Sequence, residues 1–88
     1  MSELERVAAF RSFAEFLATV KVDSIPLGPS ERSELQAEMK TLIAQASSPT
    51  PRLAGMADTV GAIRRLVEGA AASVVGNEIT HQLIMLGL

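Results

Sequence analysis

A carboxylate and the chain's one imidazole stand three residues apart in Glu78-x-x-His81. On a helix that spacing puts both on one face. Carboxylate di-iron bundles use the same Glu-x-x-His step, completed by glutamates from other helices. A homodimer would supply two such pairs, and Glu34, Glu38 and Glu68 are the available further carboxylates. All three sit in polar sequence that reads as solvated helix surface, and an i,i+3 Glu and His recur often by chance. The favoured expectation is therefore a structural or interfacial pair, with no metal and no cofactor. A dimeric metal-binding bundle built on Glu78 and His81 is the alternative. No serine, histidine and acid share a plausible strand–turn context. Neither a G-x-x-x-x-G-K-[ST] loop nor a glycine-rich strand-to-helix turn is present. An enzyme is not expected.

His81 also belongs to a longer pattern. Counting in sevens from Leu53 gives Leu53, Val60, Val67, Val74, His81 and Leu88; counting from Met56 gives Met56, Ile63, Ala70, Asn77 and Ile84. These are the a and d positions of a heptad repeat, and a stripe with a period of 3.5 residues keeps one seam turned toward a partner helix. The expected interface is thus Leu53, Met56, Val60, Ile63, Val67, Ala70, Val74, Asn77, His81 and Ile84. Asn77 and His81 are its polar members. Buried, they would fix register and oligomer state at some cost in stability, and His81 would make association pH-dependent. If the seam frays near its end, both face water. Gly55, Ala62, Gly69 and Gly76 form a second seven-residue stripe, either a close-approach face for another helix or a chance product of an alanine- and glycine-rich segment.

The composition limits the rest. Eighty-eight residues make one domain at most, and a chain of that size gains only a few kcal/mol of net stability from its own core. With no cysteine there is no disulfide framework and no thiolate metal site, and one histidine excludes an all-protein zinc cage within a single chain. Oligomerisation or attachment to a larger protein is the remaining common staple. Absence of cysteine fits a cytoplasmic location. A net charge of −2, with Arg64-Arg65 the only basic pair, argues against a nucleic-acid partner. The opening Met1–Arg11 lacks the apolar stretch of a signal peptide, and the longest uncharged runs are half of what a membrane span needs.

The elements that carry these residues read as helices. Aromatic content is 3 %, all of it Phe10, Phe13 and Phe16, and an aliphatic core of this kind suits close-packed helices. The first helix is expected from Glu3 to Lys21, opened by a Ser2–Glu5 capping box, with Val7, Ala9, Phe10, Phe13, Ala14, Phe16, Leu17 and Val20 on one arc. Residues 22–29, with two prolines and a glycine, form a loop. A second helix over 30–46 has Ser30 as N-cap and a stripe of Leu35, Met39, Leu42, Ile43 and Ala46. Residues 47–50 are a linker, with Thr50 to cap the third helix and Pro51 at its first position. The heptad segment, 51–86, would be one helix about 54 Å long, unless it breaks near Gly76-Asn77.

The order of these signals resembles a helical tail found on bacterial multi-domain proteins, some of abortive-infection or phage-defence type. An acidic helix, Ser33-Glu-Leu-Gln-Ala-Glu38, precedes a short linker, Ser47-Ser-Pro-Thr-Pro51. A segment Ile63-Arg-Arg-Leu-Val-Glu-Gly-Ala-Ala71 follows, ending in an apolar stretch. The resemblance covers about Ser30 to Leu88, and Glu78 and His81 depart from it. It implies a non-catalytic accessory or assembly module and carries no activity with it.

The expectation is an all-α bundle of three helices, or four if the last one breaks, made of two short amphipathic helices and a long heptad helix. Its expected role is oligomerisation or protein–protein contact, with itself as partner (a dimer) or another helical protein. A cytoplasmic regulator of antitoxin or inhibitor type, which masks a foreign partner by helix-in-groove contact, is the alternative.

Overall fold

Ser2 opens the first helix as its spacing to Glu5 predicts. In the computed structural model, which describes residues 2–70 and 73–87, the Glu5 N–H donates to Ser2 Oγ (3.2 Å) and the Ser2 N–H donates to Glu5 Oε1 (3.3 Å). The two side chains thus satisfy each other's orphan backbone donors. Helix α1 runs Glu3–Ala18 and buries Phe10, Phe13, Ala14 and Leu17. It stops before the expected Lys21 because Thr19 turns its hydroxyl back onto the Phe16 carbonyl (2.7 Å) and Val20 makes a tight turn onto Leu17.

The loop after α1 holds a single 3₁₀ turn, Val22–Ser24. It also contributes to the core, since Ile25 is fully buried. Arg32 holds it there: its Nη2 donates to the carbonyls of Ile25 (3.3 Å) and Leu27 (3.1 Å). Helix α2 spans Pro29–Ser47, with Gly28 as N-cap and Pro29 at the first helical position. Ser30 therefore lies inside the first turn and is not the cap. Proline at that position lacks only an N–H that would have been unpaired. The α2 stripe is Leu35, Met39, Leu42 and Ala46, with Ile43 packed at its edge. Near its far end the Arg11 Nε of α1 donates to the Ala46 carbonyl (3.2 Å), a cation at a helix C-terminus.

The heptad segment is two helices among the described residues. Helix α3 is Leu53–Glu68 and helix α4 is Val74–Met85. Arg52 is the N-cap of α3, so Thr50 and Pro51 belong to the linker. A single 54 Å rod would exceed the longest dimension of the chain, 35 Å. The corner spans residues 69–73, of which Ala71 and Ala72 lie outside the described residues. It comes one helical turn before the expected Gly76-Asn77, because Gly69 caps α3 and Ser73 caps α4. The Ser73 hydroxyl donates to the Ala70 carbonyl (2.8 Å) and accepts from the Gly76 N–H (3.0 Å), tying both sides of the corner together.

Gly76 is required by this corner. A Cβ added to it would stand 2.8 Å from the Ala70 carbonyl carbon and from Ser73 Oγ. Backbone does not yield at such a distance, so Gly76→Ala should force α4 off α3. The expected cost is about 1–3 kcal/mol, in the range of overpacking, although alanine is the better helix former. A urea titration of the variant checks this; an unchanged or raised midpoint would contradict it. Of the other stripe members, Gly55 faces α2, where a Cβ would meet only the flexible amide end of Gln45, at 3.2 Å. Gly69 is exposed, so the four small residues do not make one continuous face.

The packing follows chain order. Helix α2 lies between α1 and α3, and α4 rests on α3 with a lesser contact to α1. One core joins all four helices, with Leu35, Leu42, Met56, Val60, Ile63, Val67 and Ile79 fully enclosed.

Candidate interaction surface

The seam expected to meet a partner divides at the corner. Met56, Val60, Ile63 and Val67 are wholly inside the chain's own core, Ala70 is buried with them, and Leu53 packs at the edge. These six residues are satisfied by α1, α2 and α4 of the same chain. The expectation of an interface along the whole stripe is corrected to this extent: Met56, Val60, Ile63, Val67 and Ala70 are core residues of the chain itself.

Beyond the corner the stripe faces solvent. Val74 is 84 % exposed and Ile84 67 % exposed, and Asn77 and His81 are exposed between them. Leu88, the last heptad position, lies outside the described residues. The core side of α4 is instead Gly76, Ile79 and Leu83, with Val75 and Leu86 packed beside them. At about 100° per residue, Ile79 and Leu83 point roughly opposite to Val74 and His81. The same heptad count therefore describes the inside of α3 and the outside of α4.

Two further residues complete the outer face. Met85 is 69 % exposed and Glu78 is exposed, and both lie within about a third of a turn of Val74 and His81. Three of the four large exposed hydrophobic residues among the described ones, Val74, Ile84 and Met85, are on this face; the fourth is Leu4 at the start of α1. Beside it, between α3 and α4, runs a cleft of about 170 Å³ lined by Arg64, Glu68, Thr80, Leu83 and Ile84. Arg64 and Glu68 form an ion pair there (3.4 Å) with both side chains mostly in water, an interaction of little energetic weight.

Glu78 and His81 share the outer face as the i,i+3 spacing predicts, but the fold brings them no further ligand. Glu34 and Glu38 line a separate groove between α2 and α3 together with Arg65, and Glu68 is paired with Arg64. Among the described residues no three of His, Cys, Asp and Glu gather where a metal could be held. Also among them, no helix is long and apolar enough to cross a membrane.

Sequence reasoning did not find Arg32 or Ile25. Both come from a stretch that reads as an exposed loop and a solvated helix start. Comparison with protein families, curated proteins and solved structures gives no match to this chain.

Proposed function

We propose that this protein is a non-catalytic module for protein–protein contact, and that the outer face of α4 is the surface through which it acts. The observation that carries the reading is the gathering of Val74, Ile84 and Met85 on one side of a 12-residue helix. Single exposed apolar residues are ordinary, but here three of the four large ones among the described residues fall on one side of one short helix. The polar residues interleaved with them, Asn77, Glu78 and His81, offer hydrogen bonds that would orient a partner. The i, i+3, i+7, i+10 spacing of Val74, Asn77, His81 and Ile84 suits a helical partner or a groove shaped for a helix. Assembly-tail character is also what the resemblance to bacterial helical tails implies.

The test is site-specific photo-crosslinking of the whole chain in the cells that make it. A photoreactive residue at position 84 should yield covalent adducts, and one at Lys40, exposed on α2, should not. A chain that gives no adduct at 84 under these conditions would refute the reading. Adducts of twice the chain's mass indicate assembly with itself, and adducts of another mass indicate the regulator alternative.

A further inference from the structure

We infer that residues 21–27, the strap between α1 and α2, form a lid that opens as a unit while the helices stay folded, and that Arg32 is the latch holding it shut. Nothing in this depends on the α4 face. The strap has few ties to the rest of the chain. Its own N–H groups bond within it: Ser24 donates to the Lys21 carbonyl (2.9 Å), Ile25 to Val22 (3.0 Å) and Leu27 to Ile25 (2.8 Å). Among the described residues, the hydrogen bonds that reach it from outside are the two from Arg32 Nη2, to the carbonyls of Ile25 and Leu27. Ile25 is its one fully enclosed side chain. Val22 and Leu27 are only partly buried, and Lys21, Asp23, Ser24 and Pro26 are exposed. Lifting the strap thus breaks two hydrogen bonds and unseats chiefly one side chain, and no backbone bond of α1 or α2 has to break. Segments with so few buried contacts open at a smaller free energy than the whole fold.

Arg32 is a costly brace. It is the fourth residue of α2, where the helix dipole disfavours a cation. Its Nε is buried with no hydrogen-bond partner among the described residues, and an unpaired buried donor forfeits its bond to water. Opening relieves both terms, because the guanidinium then swings into solvent, where its donors are hydrated and the dipole is screened. The latch therefore holds by the two carbonyl bonds against opposition built into its own position. What the lid covers is apolar, since Ile25 is seated in the common core and the strap's turn packs against α2. The open form bares that seat to water with α3 and α4 still in place.

Native-state hydrogen exchange of the full chain, followed by NMR across low urea concentrations, tests this. The reporter is the Ile25 N–H, bonded inside the strap. Opening the lid exposes little surface, so Ile25 exchange should depend on urea far less than exchange of the α3 amides, which need global unfolding. Two substitutions separate the motions. Arg32→Met removes the latch and should speed Ile25 exchange about tenfold or more, as for the loss of hydrogen bonds from a charged group. Ile79→Val, on the core side of α4, should speed α3 exchange a fewfold and leave Ile25 exchange unchanged. An Ile25 amide that follows the α3 amides, both in urea and on Ile79→Val, would overturn the lid. One indifferent to Arg32→Met would overturn the latch, and one unprotected in the parent would overturn both. The urea dependence in the parent chain decides the lid by itself if Arg32→Met does not fold.

Discussion

Val67→Asp should leave the chain unfolded at room temperature, and Val74→Asp should leave its melting temperature unchanged or slightly raised. The two valines occupy the same heptad position seven residues apart. Val67 is fully enclosed and Val74 is 84 % exposed. A carboxylate at 67 would be buried without a partner, which costs about 3–5 kcal/mol in comparable cases, and the methyl contacts are lost as well. A domain of this size has about that much stability in total. At 74 the carboxylate stays in water, and because Val74 is the first residue of α4 it sits where the helix dipole favours a negative charge, by about 0.3–1 kcal/mol. Circular dichroism melts at low protein concentration, where self-association contributes little, separate the two. Equal destabilisation by both substitutions would show that α4 is turned the other way round.

Phe13→Ala should cost about 3–5 kcal/mol, the range for emptying a buried aromatic site. Phe13 is buried, its ring stacked with that of Phe16 at a centroid distance of 6.3 Å. Phe16→Ala should cost less, because Phe16 is only partly buried at the edge of the core. Urea titrations of both variants give the comparison. If Phe13→Ala melts like the parent, α1 does not belong to the cooperative unit.

Much of the fold is legible in the residues because local signals and packing agree. The Ser2–Glu5 box starts α1, and the apolar spacing of α2 names its buried stripe almost residue for residue. The all-helical class follows from the aliphatic composition. The interface was legible only in part, and the corner at 69–73 shows why. Alanine and glycine between Gly69 and Ala72 are compatible with a continuous helix, so counting in sevens carries straight across. Beyond it, α4 has apolar residues on both sides, Val74, Ile84 and Met85 on one and Val75, Ile79, Leu83 and Leu86 on the other, with Glu78 its only formal charge. Periodicity cannot choose between two such faces. The choice is tertiary: Gly76 has no side chain, so it can lie against the Ala70 carbonyl, and that contact sets which side of α4 turns inward. Ile25 escaped notice for a related reason. A hydrophobic residue between loop signals shows no period, and its burial depends on Arg32, which in sequence reads as one more surface cation.

The order of packing, in which each helix rests chiefly on its neighbour along the chain, has a consequence for time. Every principal contact closes only a short connection, so little chain entropy is lost before contacts form to offset it. Proteins built from such local contacts fold in microseconds to milliseconds. During synthesis α1 and α2 can dock before α3 has been made, and α4 is the last to arrive. The exposed apolar side of α4 therefore exists only once the rest of the core is in place beneath it.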